Sequence, residues 1–335
     1  MSIQLAGLRS HKDVLTSASV ILLSYAVVRF LVKSKASTMW KNDIPRLRMP
    51  EEVGRLVDGS NNGEALPECD IVIVGGGTAG CALAARISED PNIRVLVLEA
   101  GGSGKTHLEL RMPPAYPRLF HNNEIEYDLY TTEQVHAAGT KRYWPRGKVL
   151  GGCSSMNASI FHAGAPSDYD EWAQRGLEGS EGWAFSEFQK YFLKFEKFVP
   201  HTLFPNVDSS LRGTSGAVEV GYFGFFSNLS SKWIEACKFI GIPYVPDINT
   251  IAGTMGVTKL MTYLNSMGMR VSSETAYLTP DVMKRPNLTI ATYAKVTKLL
   301  FDTTGGKKRA VGVEFARGKG SKRYRVKARK EVILS

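Results

Sequence analysis

The stretch Asp70-Ile71-Val72-Ile73-Val74-Gly75-Gly76-Gly77-Thr78-Ala79-Gly80 constrains this chain more than any other. Residues 71–74 form an apolar, β-branched run with no polar alternation, the pattern of a strand buried on both faces of a parallel sheet. Gly75, Gly77 and Gly80 follow in the spacing G-x-G-x-x-G, residues 81–87 read as a helix, and Val95-Leu96-Val97-Leu98 ends on Glu99. Strand, turn, helix, strand and acidic terminus in this order define a βαβ unit that binds a dinucleotide. The first glycine permits the tight turn, the second lets backbone approach a pyrophosphate, and the third lets helix and strand pack closely. The helix N-terminus offers unpaired N–H groups and a positive dipole end to that pyrophosphate. Glu99 is placed to accept hydrogen bonds from a ribose diol, and its charge disfavours a 2′-phosphate and so NADP. An ordinary βαβ unit would not need that terminal acid. The neighbouring Gly102-Ser103-Gly104-Lys105-Thr106 resembles the end of a P-loop. Glu99 stands where that loop's first glycine belongs and no strand leads into the turn, so these residues read as a surface loop.

At 335 residues and 43% hydrophobic content, the chain can bury a large core and has the length of two domains. Its net charge of +10 raises nucleic acid as a partner. The basic residues, however, gather near the two ends of the chain, and the second group interleaves with Ala310-Val311-Gly312-Val313-Glu314-Phe315. That alternation describes the wet faces of strands, and no nucleic-acid partner is expected. Cys69, Cys81, Cys153 and Cys237 show no C-x-x-C spacing and no histidines at ligand spacing, so neither a metal site nor a disulfide framework is expected. A reducing compartment is compatible with this.

Residues 14–32 form an apolar run just long enough to span a bilayer, with Arg29 near its end where the side chain can snorkel. The exit Lys33-Ser34-Lys35 offers no small-x-small cleavage site, which favours a membrane anchor over the rival secretory signal peptide. Positive charge is heavier after the run, which places the body of the protein in the cytoplasm. Residues 1–35 are thus read as a basic segment with its anchor, and residues 36–68, with several prolines and Asp58-Gly59-Ser60-Asn61-Asn62-Gly63, as a linker.

A second glycine-rich tract follows in Gly147-Lys148-Val149-Leu150-Gly151-Gly152-Cys153-Ser154-Ser155-Met156-Asn157-Ala158-Ser159-Ile160-Phe161. Its small residues would let backbone amides lie against an anionic or planar ligand, with a helix starting near Ser154. Asp168-Tyr169-Asp170-Glu171-Trp172 opens a helical stretch extending through 185–198. Residues 227–240 place Trp233, Ala236, Cys237 and Ile240 on one helical stripe, expected to be core. Residues 288–334 alternate as several strands.

The dinucleotide fingerprint together with Gly147-Lys148-x-Leu150-Gly151-Gly152-x-Ser154-x-Met156-Asn157-x-x-x-Phe161, continuing to Gly164 and Asp170, resembles the glucose–methanol–choline (GMC) flavin oxidoreductases. Two departures are Cys153, where a smaller residue is commoner, and Tyr127-Asp128-Leu129-Tyr130-Thr131-Thr132-Glu133-Gln134, which looks like the family's aromatic-TTEPQ segment without its proline. The resemblance implies an α/β fold: a Rossmann-like FAD-binding domain with parallel sheet and β-meander, part of an α+β substrate domain, and ahead of them the anchor helix. In residue ranges it implies FAD-binding parts at 69–165 and 281–335, with a partial substrate domain at 166–280 between them. It implies that Gly75, Gly77, Thr78, Ala79, Gly80 and Glu99 hold the ADP half of FAD. Val149, Gly151, Ser155, Asn157, Ala158, Ser159 and Ile160 would then lie along the flavin, and the backbone of Val296 would meet the adenine. Some members attach FAD through a histidine just before this asparagine. The residue here is Met156, so the FAD is expected to be non-covalent. His162 is the nearby histidine, read as structural ahead of a catalytic base. The family's second signature and catalytic histidine would follow Glu331-Val332-Ile333-Leu334-Ser335, so the chain reads as an N-terminal portion of an enzyme acting on a small-molecule alcohol. The alternatives are a catalytically inactive FAD-binding fragment and an NAD-dependent dehydrogenase, the latter leaving the second glycine tract unexplained.

Overall fold

The computed structural model describes residues 47–57, 65–176, 178–223, 226–251 and 253–335. The strands in chain order are β1 (Arg55–Leu56), β2 (Glu68–Val74), β3 (Val95–Leu98), β4 (Ile160–Phe161), β5 (Glu196–Val199), β6 (Val218–Gly221), β7 (Met261–Thr262), β8 (Leu288–Ala291), β9 (Lys295–Asp302), β10 (Arg309–Ala316) and β11 (Arg323–Leu334). The larger sheet runs β8-β3-β2-β11-β10-β9, with β1 also paired to β11. Its first three pairings are parallel and the remaining ones antiparallel, so a parallel βαβ core passes directly into the meander. Strand β11 joins the two regions: its early residues pair with β10 and its later ones with β2, across a one-residue bulge between Ala328 and Glu331.

The unbroken apolar character of β2 and β3 is what two covered faces require. Ile71, Ile73, Val95 and Val97 pack with Cys81 and Ala84 of the Thr78–Ile87 helix. Val72, Leu96 and Leu98 point the other way, into a second cluster with Val313, Phe315 and Val326 of the meander. Each such aliphatic side chain contributes roughly 1.5–3 kcal/mol on burial. A smaller sheet, β4-β7-β6-β5, carries its own core of Phe161, Phe198, Val218, Val220, Tyr222 and Met261.

Four expectations are corrected. Residues 47–57 are not a linker: Pro50 begins a short helix with its ring buried, β1 pairs with β11, and the Arg48 amide donates to the Ile290 carbonyl at 2.8 Å. Prolines at a helix start are as compatible with structure as with a tether. Residues 102–104 are buried rather than a surface loop, with the Gly102 carbonyl accepting from the Leu150 amide at 2.9 Å. The helical stretch after Asp168 is two helices, Pro166–Gln174 and Phe185–Phe195, and Glu196 already belongs to β5. On the Asn228–Phe239 helix only Cys237 is buried, while Trp233 is 68% exposed and Ile240 72%. Helical spacing shows that these residues share a face, but not that anything covers it. The apolar run 14–32 lies outside the described residues, and among the described residues no helix is long and apolar enough to cross a membrane.

Several basic residues of the meander are tied to carboxylates. Arg329 bridges Asp70 at 2.7 Å, and Arg323 and Arg325 both reach the buried Glu314 at 2.9 Å. Burial pushes the Glu314 carboxyl up, but Arg325 and Arg323 together hold it below the usual carboxylate value. A group with a lowered folded-state pKa contributes stability above its unfolded value, here about pH 4.3, and loses it as pH falls through the folded value. Glu314→Gln is therefore expected to lower Tm at pH 7, with the difference from wild type closing below about pH 4. Melting curves of both proteins across that range measure it; a Tm difference that stays constant with pH would sink the idea.

Candidate functional site

The turn after β2 sets its three glycines in three different surroundings. Gly75 has φ +100°, which L side chains rarely adopt, and a Cβ there would stand 2.5 Å from the Ser335 carbonyl oxygen. A Cβ on Gly80 would stand 2.0 Å from the Gly75 carbonyl oxygen, so helix and strand can approach only through glycine. Gly77 differs: the nearest atom to its Cβ would be the Gly152 Cα at 4.0 Å, and the space it would fill is open. Gly77 also caps the Thr78–Ile87 helix without a side-chain bond, and Thr78 and Ala79 are exposed, where first-turn amides have no partner within the helix.

The second glycine tract closes onto this turn. The Gly151 amide donates to the Gly76 carbonyl at 2.8 Å, Thr78 Oγ1 donates to the Gly151 carbonyl at 3.2 Å, and the Ser154 amide donates to Thr78 Oγ1 at 3.3 Å. A Cβ on Gly152 would stand 2.8 Å from the Gly77 Cα. Two glycine-rich segments distant in sequence thus form one backbone-lined cradle, with Gly152–Ser155 a short 3-10 turn.

Glu99, just past β3, is buried. Its carboxylate accepts from the Gly76 and Gly101 amides, each at 2.8 Å, while burial pushes its pKa up against those two bonds. Each oxygen keeps a second lone pair for a further donor. The Ala294 amide donates to the Glu99 carbonyl at 2.7 Å, which brings the start of β9, with half-buried Val296, beside the acid. Lys295 lies 5.8 Å from the Tyr127 ring at the same end.

The remaining residues divide into inward and outward groups. Val149 and Ser155 are buried: Val149 packs with Leu110, Leu119, Ile125 and Met156, and Ser155 Oγ donates to the Leu150 carbonyl at 2.8 Å. Any ligand meets these two through backbone. Asn157, Ala158 and Ile160 are exposed and form an outward run. Ser159 is buried with φ +60°, and its Oγ has no partner among the described residues. His162 is exposed, and its Nδ1 accepts from the Gly164 amide at 2.9 Å.

Sequence reasoning missed two supports of the cradle. Glu274, buried at the start of the Ser273–Tyr277 helix, accepts from Ser103 Oγ and, at 2.9 Å, from the Gly104 amide, which is why residues 102–104 face inward. Arg270 is buried behind Asn157 and donates to Asn157 Oδ1 at 2.7 Å. Both partnerships join residues more than a hundred positions apart, and no local pattern announces them.

An open Gly77 face, a helix N-terminus and a buried acid at the end of β3 mark the class: an α/β protein in which two glycine tracts form one cradle. Residues 69–335 match the GMC oxidoreductase family, and the chain belongs to it. The family's members are FAD-dependent enzymes, so FAD is the cofactor that membership implies. Among its relatives is Dehydrogenase str4 of Strobilurus tenacellus, 39% identical over 269 residues, covering 79% of this chain and 43% of the relative. Mouse mitochondrial choline dehydrogenase is 35% identical over 278 residues, covering 80% and 43%. The crystal structure of pyridoxine 4-oxidase from Mesorbium loti superposes with TM-score 0.69 at 32% identity, covering 80% of this chain and 49% of that one. The chain spans about half the length of the curated relatives it matches.

Proposed function

We propose that this chain forms the FAD-binding part of an oxidoreductase acting on the CH–OH group of a small-molecule alcohol. The observation that carries this reading is the closure of the second glycine tract on the first, with the Gly77 face left open. A nicotinamide site needs the first tract and gives no reason for the second. In this reading the amides of Thr78, Ala79 and Gly80 receive the pyrophosphate, Glu99 the ribose, and the backbone at Val296 the adenine. Backbone at Val149, Gly151 and Ser155, and the run Asn157, Ala158, Ser159 and Ile160, border the flavin. When bound, FAD supplies the two-electron redox chemistry that these side chains lack. Met156 has no ring nitrogen to bond the flavin and is buried in an apolar cluster, which supports non-covalent attachment. The alcohol class draws support from relatives titled choline dehydrogenase and alcohol dehydrogenase [acceptor]. The run 14–32 supports attachment to a membrane by that segment, with the body in the cytoplasm.

A specific observation favours FAD binding without turnover for this chain on its own: His162, the histidine nearest the outward run, already has Nδ1 engaged by a backbone amide. Alcohol oxidation requires a base within hydrogen-bond reach of the substrate hydroxyl.

The purified full chain, incubated with FAD and freed of excess, is expected to show visible flavin absorption, all of it released by acid precipitation. A colourless protein would overturn the cofactor reading, and acid-stable flavin would overturn non-covalent attachment. Primary alcohols added under anaerobic conditions then decide between the two forms: unbleached flavin supports binding alone, and bleaching shows that a base lies within these residues.

A further inference from the structure

Arg270 is the largest side chain among those almost completely buried, at 1% exposure, yet all its partners are neutral. Its Nε donates to the Leu110 carbonyl at 2.9 Å, and Nη1 to Asn157 Oδ1 at 2.7 Å and the Ser154 carbonyl at 3.4 Å. Nη2 is buried with no partner among the described residues. A guanidinium removed from water without a carboxylate is costly, so this one is held by the surrounding fold. Burial alone pulls its pKa down to about 10, still well above neutrality.

The consequence falls on Asn157. Its Oδ1 accepts from Arg270 Nη1 and also from the Ser159 amide at 3.0 Å. Guanidinium and backbone N–H groups only donate, so the side-chain atom that faces both of them is the oxygen, and the amide cannot be turned around. Asn157 is exposed, and its Nδ2 has no protein partner among the described residues. The site therefore presents outward a hydrogen-bond donor of fixed orientation, polarised by the charge behind it.

Resting on the FAD reading above, we infer that Arg270 is a positioning residue that locks Asn157 as an N–H donor toward an electron-rich acceptor atom of the flavin. A donor backed by a cation strengthens as negative charge accumulates on its acceptor, so the pair favours the reduced cofactor.

Asn157→Asp separates this role from a merely structural one, because it moves two readouts in opposite directions. In the cofactor-free chain the new carboxylate supplies Arg270 with the missing counter-charge, and Tm is expected to rise above wild type, whereas Asn157→Ala lowers it. In FAD titrations followed by flavin fluorescence, Asn157→Asp has lost the donor and is expected to bind about tenfold more weakly or worse, and its bound flavin to have a more negative midpoint potential. Arg270→Met frees the amide to rotate and is expected to weaken FAD binding with Asn157 still present; if it does not fold, Asn157→Asp carries the test. An Asn157→Asp chain that binds FAD as tightly as wild type, or melts no higher than Asn157→Ala, overturns the inference. A wild-type chain that takes up no FAD overturns the cofactor reading itself, which is a distinguishable failure.

Discussion

Gly77→Val is expected to abolish FAD retention while leaving Tm close to that of wild type. A Cβ at this position has no neighbour nearer than 4.0 Å, so the added side chain enters open space rather than the protein's own core. That space lies against the helix N-terminus where a pyrophosphate must approach backbone, and there a branched side chain excludes it. Gly80→Ala supplies the contrast. Its Cβ would meet the Gly75 carbonyl oxygen at 2.0 Å, so helix and strand must separate and stability falls together with flavin. Flavin absorbance per chain and thermal melting, measured on both variants, test the assignment. A Gly77→Val protein that keeps its flavin would show that the cradle does not hold the pyrophosphate.

Arg212→Met is expected to cost about 3–5 kcal/mol of folding stability. Arg212 lies in the core of the smaller sheet, where it reaches Glu196 at 2.7 Å and Asp247 at 3.2 Å, with its guanidinium over the rings of Phe161 and Phe198. Removing it leaves two buried carboxylates without a counter-charge. Burial already outweighs Arg212 at Glu196 and pushes that carboxyl up to about 7, so the variant's Glu196 rises further. A carboxyl with a raised folded-state pKa favours folding at low pH and loses that contribution as pH climbs from its unfolded value, about 4.3, through the folded one. The variant is therefore expected to suffer more at pH 8 than at pH 5. Adding Glu196→Gln should recover part of the loss, because the second substitution removes one of the stranded charges. Urea denaturation at the two pH values measures both effects; a loss below about 1 kcal/mol would show that the triad is not a structural centre.

The contrast between these two sites reflects how information is stored in the chain. Residues 70–99 specified their structure locally. An apolar run with no polar alternation demands two covered faces, three glycines at fixed spacing demand one turn, and an acid at the end of the second strand needs donors, which the Gly76 and Gly101 amides supply. The meander was legible for the same reason, since alternation along a strand is a property of neighbours in sequence.

What tertiary structure alone decided is who meets whom across long separations. The same periodicity that placed Trp233 and Ile240 on one face gave no information about cover, and they are exposed. Residues 55–56, read from the sequence as linker, became part of the larger sheet because β11 offered a pairing edge, and Ser103 turned inward because Glu274 waited there. Buried charge followed the same rule: Arg212 found Glu196 of the smaller sheet together with Asp247, and Arg270 found an asparagine amide. Sequence by itself determined the turn, the strands and the family to which the chain belongs. Only the fold decided which buried polar groups are satisfied, because a hydrogen bond costs nothing in sequence distance and everything in spatial register.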